Sequence, residues 1–265
     1  MHIQRGAWAE INLDAVAHNV QMAKANLKPT TKLCAVVKAD AYGHGAVRVA
    51  QEAARNGADF FAVALLQEGV KLREAGIEKP ILVLGSMLPE VAEICVRYDI
   101  SHAVFDEERL YALNAAALKL HTKAKIHIKI DTGMHRIGVH VRDAGRFAKL
   151  AASLPGIYIE GVFSHFATAD ADDKQYAAYQ FERFQEALRL IEAEGVHIPI
   201  RHIANSAALT ELQEYQLDMV RQGITLYGLH PAHMIDCYKD FEPVMTVKTQ
   251  VAFVKTLPPG ETIGY

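Results

Sequence analysis

No apolar run in this 265-residue sequence approaches the ~18 to 20 residues that cross a bilayer. The opening residues, MHIQRGAWAEINLDAV, lack the basic segment followed by an apolar core that marks an export signal. A cytoplasmic protein with no membrane partner is therefore expected. Cysteine is scarce: Cys34, Cys95 and Cys237 are odd in number and show no CxxC spacing, which argues against a disulfide framework or a zinc ribbon. An excess of positive charge is also missing. With 28 Lys and Arg against 31 Asp and Glu, the net charge of -3 supplies no phosphate-neutralising surface for nucleic acid. The 13 histidines, His230 and His233 among them, fall in no HExxH pattern and beside no carboxylate pair, so no metal is expected.

Glycine-rich nucleotide fingerprints are absent as well. Gly43, His44 and Gly45 run on to Arg48 without the third glycine of a dinucleotide-binding turn. The triplet Asp131, Thr132, Gly133 matches that of aspartic proteases, but those enzymes are all-β and this chain alternates two kinds of segment.

What is present is that alternation. The runs LCAVVK, FFAVAL, PILVLG, SHAVF, AKIHIKI, IYIEGVFSH, IRHIAN and LDMVRQGITLY read as eight strands. Between them lie amphipathic helices, one with Leu110, Leu113, Ala117 and Leu120 behind a capping Asp106, another with Phe181, Phe184, Leu188 and Ile191. A further helix, with Val16, Val20, Ala23 and Leu27 on one face, precedes the first strand. The fold class is α/β, and eight βα units suit a (β/α)8 barrel of ~250 residues; an open doubly wound sheet is the alternative. The barrel is expected over residues 1–232. From 233 to 265 the sequence alternates apolar and polar residues without a helix, which reads as the first strands of an incomplete β-rich domain.

Polar residues gather at the expected C-terminal strand ends, where a barrel of this kind places its active site. Lys38 ends the first strand, Arg136 follows the fifth, His165 ends the sixth, Asn205 and Ser206 follow the seventh, and Arg221 and Gly223 lie on the eighth. Taken singly, each suits a solvated cap or a packing role; five strands aimed at one mouth suit a site. In the fifth strand Ile126, Ile128 and Ile130 alternate with Lys125, His127 and Lys129. If the isoleucines pack on helices, Lys129 faces the barrel interior and needs a partner or a modification.

The strings AVVKADAYGHG, KIDTGMHRIG, SHFATAD, ANSAA, MVRQGITLYG and GETIGY resemble, in order, the conserved blocks of the alanine racemase family. The resemblance covers essentially the whole chain. It implies a barrel, a C-terminal β domain, a homodimer with shared active sites, and pyridoxal 5'-phosphate as cofactor for interconverting L- and D-alanine, which supplies cell-wall peptidoglycan. It makes Lys38 the Schiff-base lysine and the base toward D-alanine, and Tyr265, supplied across the dimer, the base toward L-alanine. By the same resemblance Tyr42, Ser206, Gly223 and Ile224 hold the phosphate with Asn205 beside them. His165 then lies against the pyridine ring, Arg221 faces its nitrogen, Arg136 engages the substrate carboxylate, and Lys129 is a candidate for carbamylation. Because most of the family's β domain is lacking, the chain is expected to bind cofactor but racemise poorly. A non-catalytic barrel that binds the same cofactor, and a racemase of serine or lysine, are the alternatives.

Overall fold

In a computed structural model describing residues 6–231 and 236–264, the β-branched runs form parallel strands and the amphipathic segments cover them. In chain order the strands are β1 (Ala7–Ile11), β2 (Lys32–Val36), β3 (Phe60–Val63), β4 (Ile81–Val83), β5 (Ser101–Val104), β6 (Ala124–Asp131), β7 (Val139–His140), β8 (Ile157–Phe163), β9 (Ile200–His202), β10 (Met219–Gln222) and β11 (Met245–Thr249). The main sheet has the order β10-β2-β3-β4-β5-β6-β8-β9, with β7 added beside β6. Two backbone bonds draw its ends together: Asp218 N–H donates to the Arg201 carbonyl (3.1 Å) and Arg221 N–H to that of Ala204 (3.1 Å). The Asp218 carboxylate reinforces this seam by accepting from Arg201 Nε at 2.7 Å. A nearly closed (β/α)8 barrel results, so the open-sheet alternative falls.

The helices are α1 (Leu13–Ala25), α2 (Lys38–Tyr42), α3 (Ala46–Arg55), α4 (Leu66–Glu74), α5 (Ala92–Arg97), α6 (Glu107–Lys119), α7 (Ala144–Ser153), α8 (Gln175–Ala193) and α9 (Ser206–Glu211). Their buried residues follow helical spacing. In α3, Ala46, Val49, Ala50 and Ala53 face the sheet, and in α6, Leu110, Leu113, Ala116 and Ala117 do so. The Asp106 carboxylate caps α6 by accepting from Arg109 N–H (3.0 Å). Each fully buried Val or Leu side chain contributes ~1.5 to 3 kcal/mol, so helix packing rather than helix propensity holds this layer.

The barrel interior is a second, smaller apolar layer of Cys34, Val36, Phe60, Ala62, Leu82, Ile200 and Met219. Here the fifth predicted strand behaves as its alternation requires. Ile126, Ile128 and Ile130 are fully buried against the helices, while His127 and Lys129 are buried inside. A register shift between Ile126 and His127 sets β8 one residue out, so that Gly161 rather than Glu160 pairs with His127. Only glycine fits there, because a Cβ on residue 161 would lie 2.5 Å from His127 Nδ1. Gly161→Ala is expected to cost about 1 to 3 kcal/mol by overpacking, measurable as a lowered urea midpoint with an unchanged slope.

One segment departs from expectation. The last predicted strand, LDMVRQGITLY, is extended only over Met219–Gln222; beyond Gly223 the chain turns into a short 3-10 helix, Ile224–Tyr227, so Gly223 follows the strand instead of lying on it. Ser206 fixes that turn, its Oγ accepting from Gly223 N–H at 2.8 Å. Among the described residues of the C-terminal segment, Met245–Thr249 is the strand, and it pairs antiparallel with β1 at the opposite end of the sequence. Between them, Tyr238, Phe241 and Val244 are buried in the core shared with the barrel, and the Asn19 side chain of α1 bonds both the carbonyl (2.8 Å) and the N–H (2.8 Å) of Glu242. Tyr265 and His233 lie outside the described residues.

Candidate active site

At the C-terminal ends of the strands a cavity of about 570 Å³ is lined by Lys38, Tyr42, Lys129, Arg136, His165, Asn205, Ser206, Arg221, Gly223 and Ile224, among others. The sequence-derived cluster is thus one place among the described residues. That volume lies within the ~300 to 1,000 Å³ typical of small-molecule sites.

Lys38 sits where β2 ends, its Nζ 5.7 Å from the Tyr42 ring centroid. The chain then winds through a single left-handed turn, with φ of 51, 52, 56 and 52° at Ala39, Asp40, Ala41 and Tyr42. L-residues pay about 1 to 2 kcal/mol each in this conformation, so surrounding bonds must hold it. Glu68 does so from α4, its Oε1 accepting from Ala39 N–H (2.5 Å) and its Oε2 from Ala64 N–H (2.8 Å). Asp40 closes the far side by accepting from Ala46 N–H (3.0 Å) and Lys71 Nζ (3.2 Å). The turn brings the Tyr42 ring to 5.1 Å from Tyr227, whose hydroxyl donates to the Val36 carbonyl (2.8 Å). Burial pushes the Tyr42 phenol above its ordinary value.

Across the cavity, a Cβ placed on Gly223 would stand 3.6 Å from Tyr42 Oη and 3.7 Å from Ser206 Oγ. Both hydroxyls and the bare backbone at Gly223 therefore border one small space. Asn205 contributes differently: its Oδ1 caps α9 by accepting from Ala208 N–H (3.1 Å).

At the base lies Arg221, buried and hydrogen-bonded on both arms. Nη1 donates to His202 Nδ1 (2.8 Å), and Nη2 to the carbonyls of Ser164 (2.9 Å) and Ile203 (3.0 Å) and to His165 Nδ1 (3.0 Å). Burial lowers its pKa to about 10, which still leaves the guanidinium charged at neutral pH. Burial, then Arg221, holds His165 well below the usual imidazole range, so it is neutral and its Nδ1 accepts. Gln180 of α8 fixes the His165 segment, donating to the His165 carbonyl (3.1 Å) and accepting from Ala167 N–H (2.8 Å).

Lys129 is the electrostatic anomaly. It is 3% exposed, donates to the Ile130 carbonyl (2.7 Å), and faces Phe163 at 5.5 Å. Burial, then the neighbouring Arg221, lowers its pKa from 10.5 to about 7. The unfolded chain binds more protons than the folded one between these values, so this group makes folding stability rise as pH increases from about 7 toward 10.5. Below 7 the penalty is fully present. Lys129→Met is expected to flatten that slope in denaturant titrations run across this range.

Residues not singled out in the sequence support the site: Glu68 and Gln180 as clamps, and His202 and Glu160 beneath Arg221. His202 and Glu160 carried the same signal as Lys129, a polar side chain at an inward position of a barrel strand. Among the described residues no group of three or more His, Cys, Asp or Glu is placed to hold a metal ion, and no helix is long and apolar enough to cross a membrane.

Known proteins share this sequence and this fold. A family model described as "Alanine racemase, N-terminal domain" matches residues 11–231. The chain is 46% identical over 261 residues to an alanine racemase of Desulfovibrio desulfuricans, covering 98% of this chain and 70% of that protein. It is 44% identical to one of Halothermothrix orenii, with 99% and 69% covered. Among solved structures, alanine racemase of Clostridium difficile 630 in complex with cycloserine superposes with a TM-score of 0.93 at 38% identity, covering 96% of this chain and 71% of that one. The enzyme of Bacillus anthracis with bound L-Ala-P superposes with a TM-score of 0.92 at 36% identity, over 100% and 69%. With sequence and barrel in agreement, the chain belongs to the alanine racemase family.

Proposed function

We propose that the chain interconverts L- and D-alanine with pyridoxal 5'-phosphate held in the cavity at the barrel mouth. The observation that carries this reading is the placement of Lys38, Arg221 and the Ser206, Tyr42 and Gly223 cradle around one space of about 570 Å³. The residues suit the cofactor's three chemical parts: an amine for its aldehyde, hydroxyls and an uncrowded backbone for its phosphate, and a buried guanidinium for its ring nitrogen. When bound, pyridoxal phosphate supplies an electron sink that acidifies the substrate Cα–H. Since Arg221 can only donate, it leaves the ring nitrogen without a proton of its own and moderates that sink. Moderation favours returning the proton to substrate Cα.

Within this reading Lys38 holds and moves the α-proton on the D-alanine face, and Tyr265 serves the L-alanine face from a second subunit of a homodimer. Ile224 adds its backbone to the phosphate cradle, and Asn205, by capping α9, holds Ser206 in position. Arg136 takes the substrate carboxylate. Lys129 is a site for carbamylation: a lowered pKa leaves much of the amine neutral at physiological pH, and a carbamate there would turn repulsion from Arg221 and Arg136 into attraction. Carbon-13 bicarbonate should give a carbamate NMR signal in the parent and none in Lys129→Met; a signal absent from both would remove the modification. We place the enzyme in the cytoplasm, supplying D-alanine for the cell wall. The non-catalytic alternative is not favoured, since the relatives are named alanine racemases. Loss of the α-hydrogen signal of D-alanine in deuterated water, dependent on added cofactor, tests the reading directly. No exchange by folded, cofactor-loaded protein would contradict it.

A further inference from the structure

Beneath the cavity, hydrogen bonding continues from Arg221 along the barrel interior to the far end of the sheet. A guanidinium has donors and no acceptor, so Arg221 Nη1 donates to His202 Nδ1 at 2.8 Å. His202 is fully buried, and burial with the adjacent Arg221 keeps it neutral. Its single proton must then sit on Nε2, which donates to His127 Nδ1 at 2.8 Å. His127 is left with its proton on Nε2 and donates to Glu160 Oε2 at 3.0 Å. The same oxygen accepts from Ser101 Oγ at 2.5 Å. Burial pushes the Glu160 carboxyl up, but His127, then Ser101 and the Lys125 charge, outweigh it and hold the group below the usual carboxylate range.

Each donor thus meets an acceptor, and the direction is fixed at both ends: one terminus can only donate, the other, when ionised, only accept. Packing allows little escape. The His202 ring stacks on Phe163 at 4.9 Å with 4° between planes, and His127 fills the space that a side chain on residue 161 would need. Glu160 alternates with Ile157 and Ile159, which pack in the outer core, so its side chain turns the other way, toward His127.

We propose that Glu160, acting through His127 and His202, is a positioning residue that sets the plane in which Arg221 meets the cavity. Removing the acceptor at residue 160 lets the His127 proton move to Nδ1, where it opposes His202 Nε2–H. The conflict passes to His202 Nδ1 and turns the Arg221 arm away. A carbonyl oxygen in place of the carboxylate keeps the direction. The consequence for cofactor rests on the function proposed above; the relay itself does not.

Nitrogen-15 histidine NMR of the cofactor-free 265-residue protein near neutral pH is the test. His127 and His202 should both be neutral Nε2–H tautomers in the parent and in Glu160→Gln, and should show Nδ1–H signal in Glu160→Leu. In absorbance titrations pyridoxal phosphate should bind Glu160→Leu about tenfold more weakly, the worth of one hydrogen bond to a charged donor. Glu160→Gln should remain within about twofold of the parent. Either histidine found as Nδ1–H or imidazolium in the parent overturns the proposal, and this holds even if the leucine variant fails to fold. Parent-like tautomers in Glu160→Leu, or a glutamine variant that behaves as the leucine one, also overturn it. A parent with the predicted tautomers that binds no pyridoxal phosphate overturns the cofactor reading instead.

Discussion

Lys38→Ala lowers D-alanine α-hydrogen exchange by at least about 10,000-fold, the upper range for a single positioned base, because the same side chain is also the covalent nucleophile. The loss should fall on turnover, since Arg136, Ser206 and Gly223 still line the cavity. Stability should change by no more than about 0.5 kcal/mol, as for substitutions away from packed or networked groups. Lys38 is half-buried, and the left-handed turn after it is held by Glu68 and Asp40. Exchange measured by proton NMR beside a urea titration separates the two effects. Exchange in the variant within tenfold of the parent would remove Lys38 from the chemistry.

Arg221→Leu should damage both fold and function. The substitution removes a buried charge, which alone is favourable, but it strips donors from His202 Nδ1, His165 Nδ1 and the carbonyls of Ser164 and Ile203. Buried acceptors left unpaired cost roughly 1 to 3 kcal/mol each. With the relief subtracted, a net loss of about 3 kcal/mol is expected, read as a lower urea midpoint. Exchange should fall by about 100- to 1,000-fold, the usual effect of removing one preorganised donor. Arg221→Lys keeps the charge but not the fork geometry, so it should recover stability better than rate. Equal recovery of both would mean that charge alone, and not donor geometry, is what the site needs.

How much of this could be read in the sequence depends on the range of the interactions involved. The eight barrel strands were legible because each is a local β-branched run, and the inward position of Lys129 followed from simple alternation with Ile128 and Ile130. The clustering of Lys38, His165, Ser206 and Arg221 followed from barrel geometry once the strands were placed. Three features were not legible. The antiparallel pairing of Ala7–Ile11 with Met245–Thr249 joins opposite ends of the chain, and no local pattern specifies such a partner. The left-handed turn at Ala39, Asp40, Ala41 and Tyr42 contains one residue, Asp40, of a type that visits positive φ, and then only singly; the run of four exists because Glu68 and Asp40 hold it. Gly223 looked like a strand residue for a related reason, since only the Ser206 hydroxyl reveals that the backbone turns there.

The most direct test of the central claim is an absorption titration of the purified chain with pyridoxal phosphate, beside Lys38→Ala under the same conditions. A visible band of lysine-bound cofactor in the parent that is absent from the variant is the predicted result. A band that persists without Lys38, or a folded parent that shows none, would contradict the assignment of this cavity and its lysine.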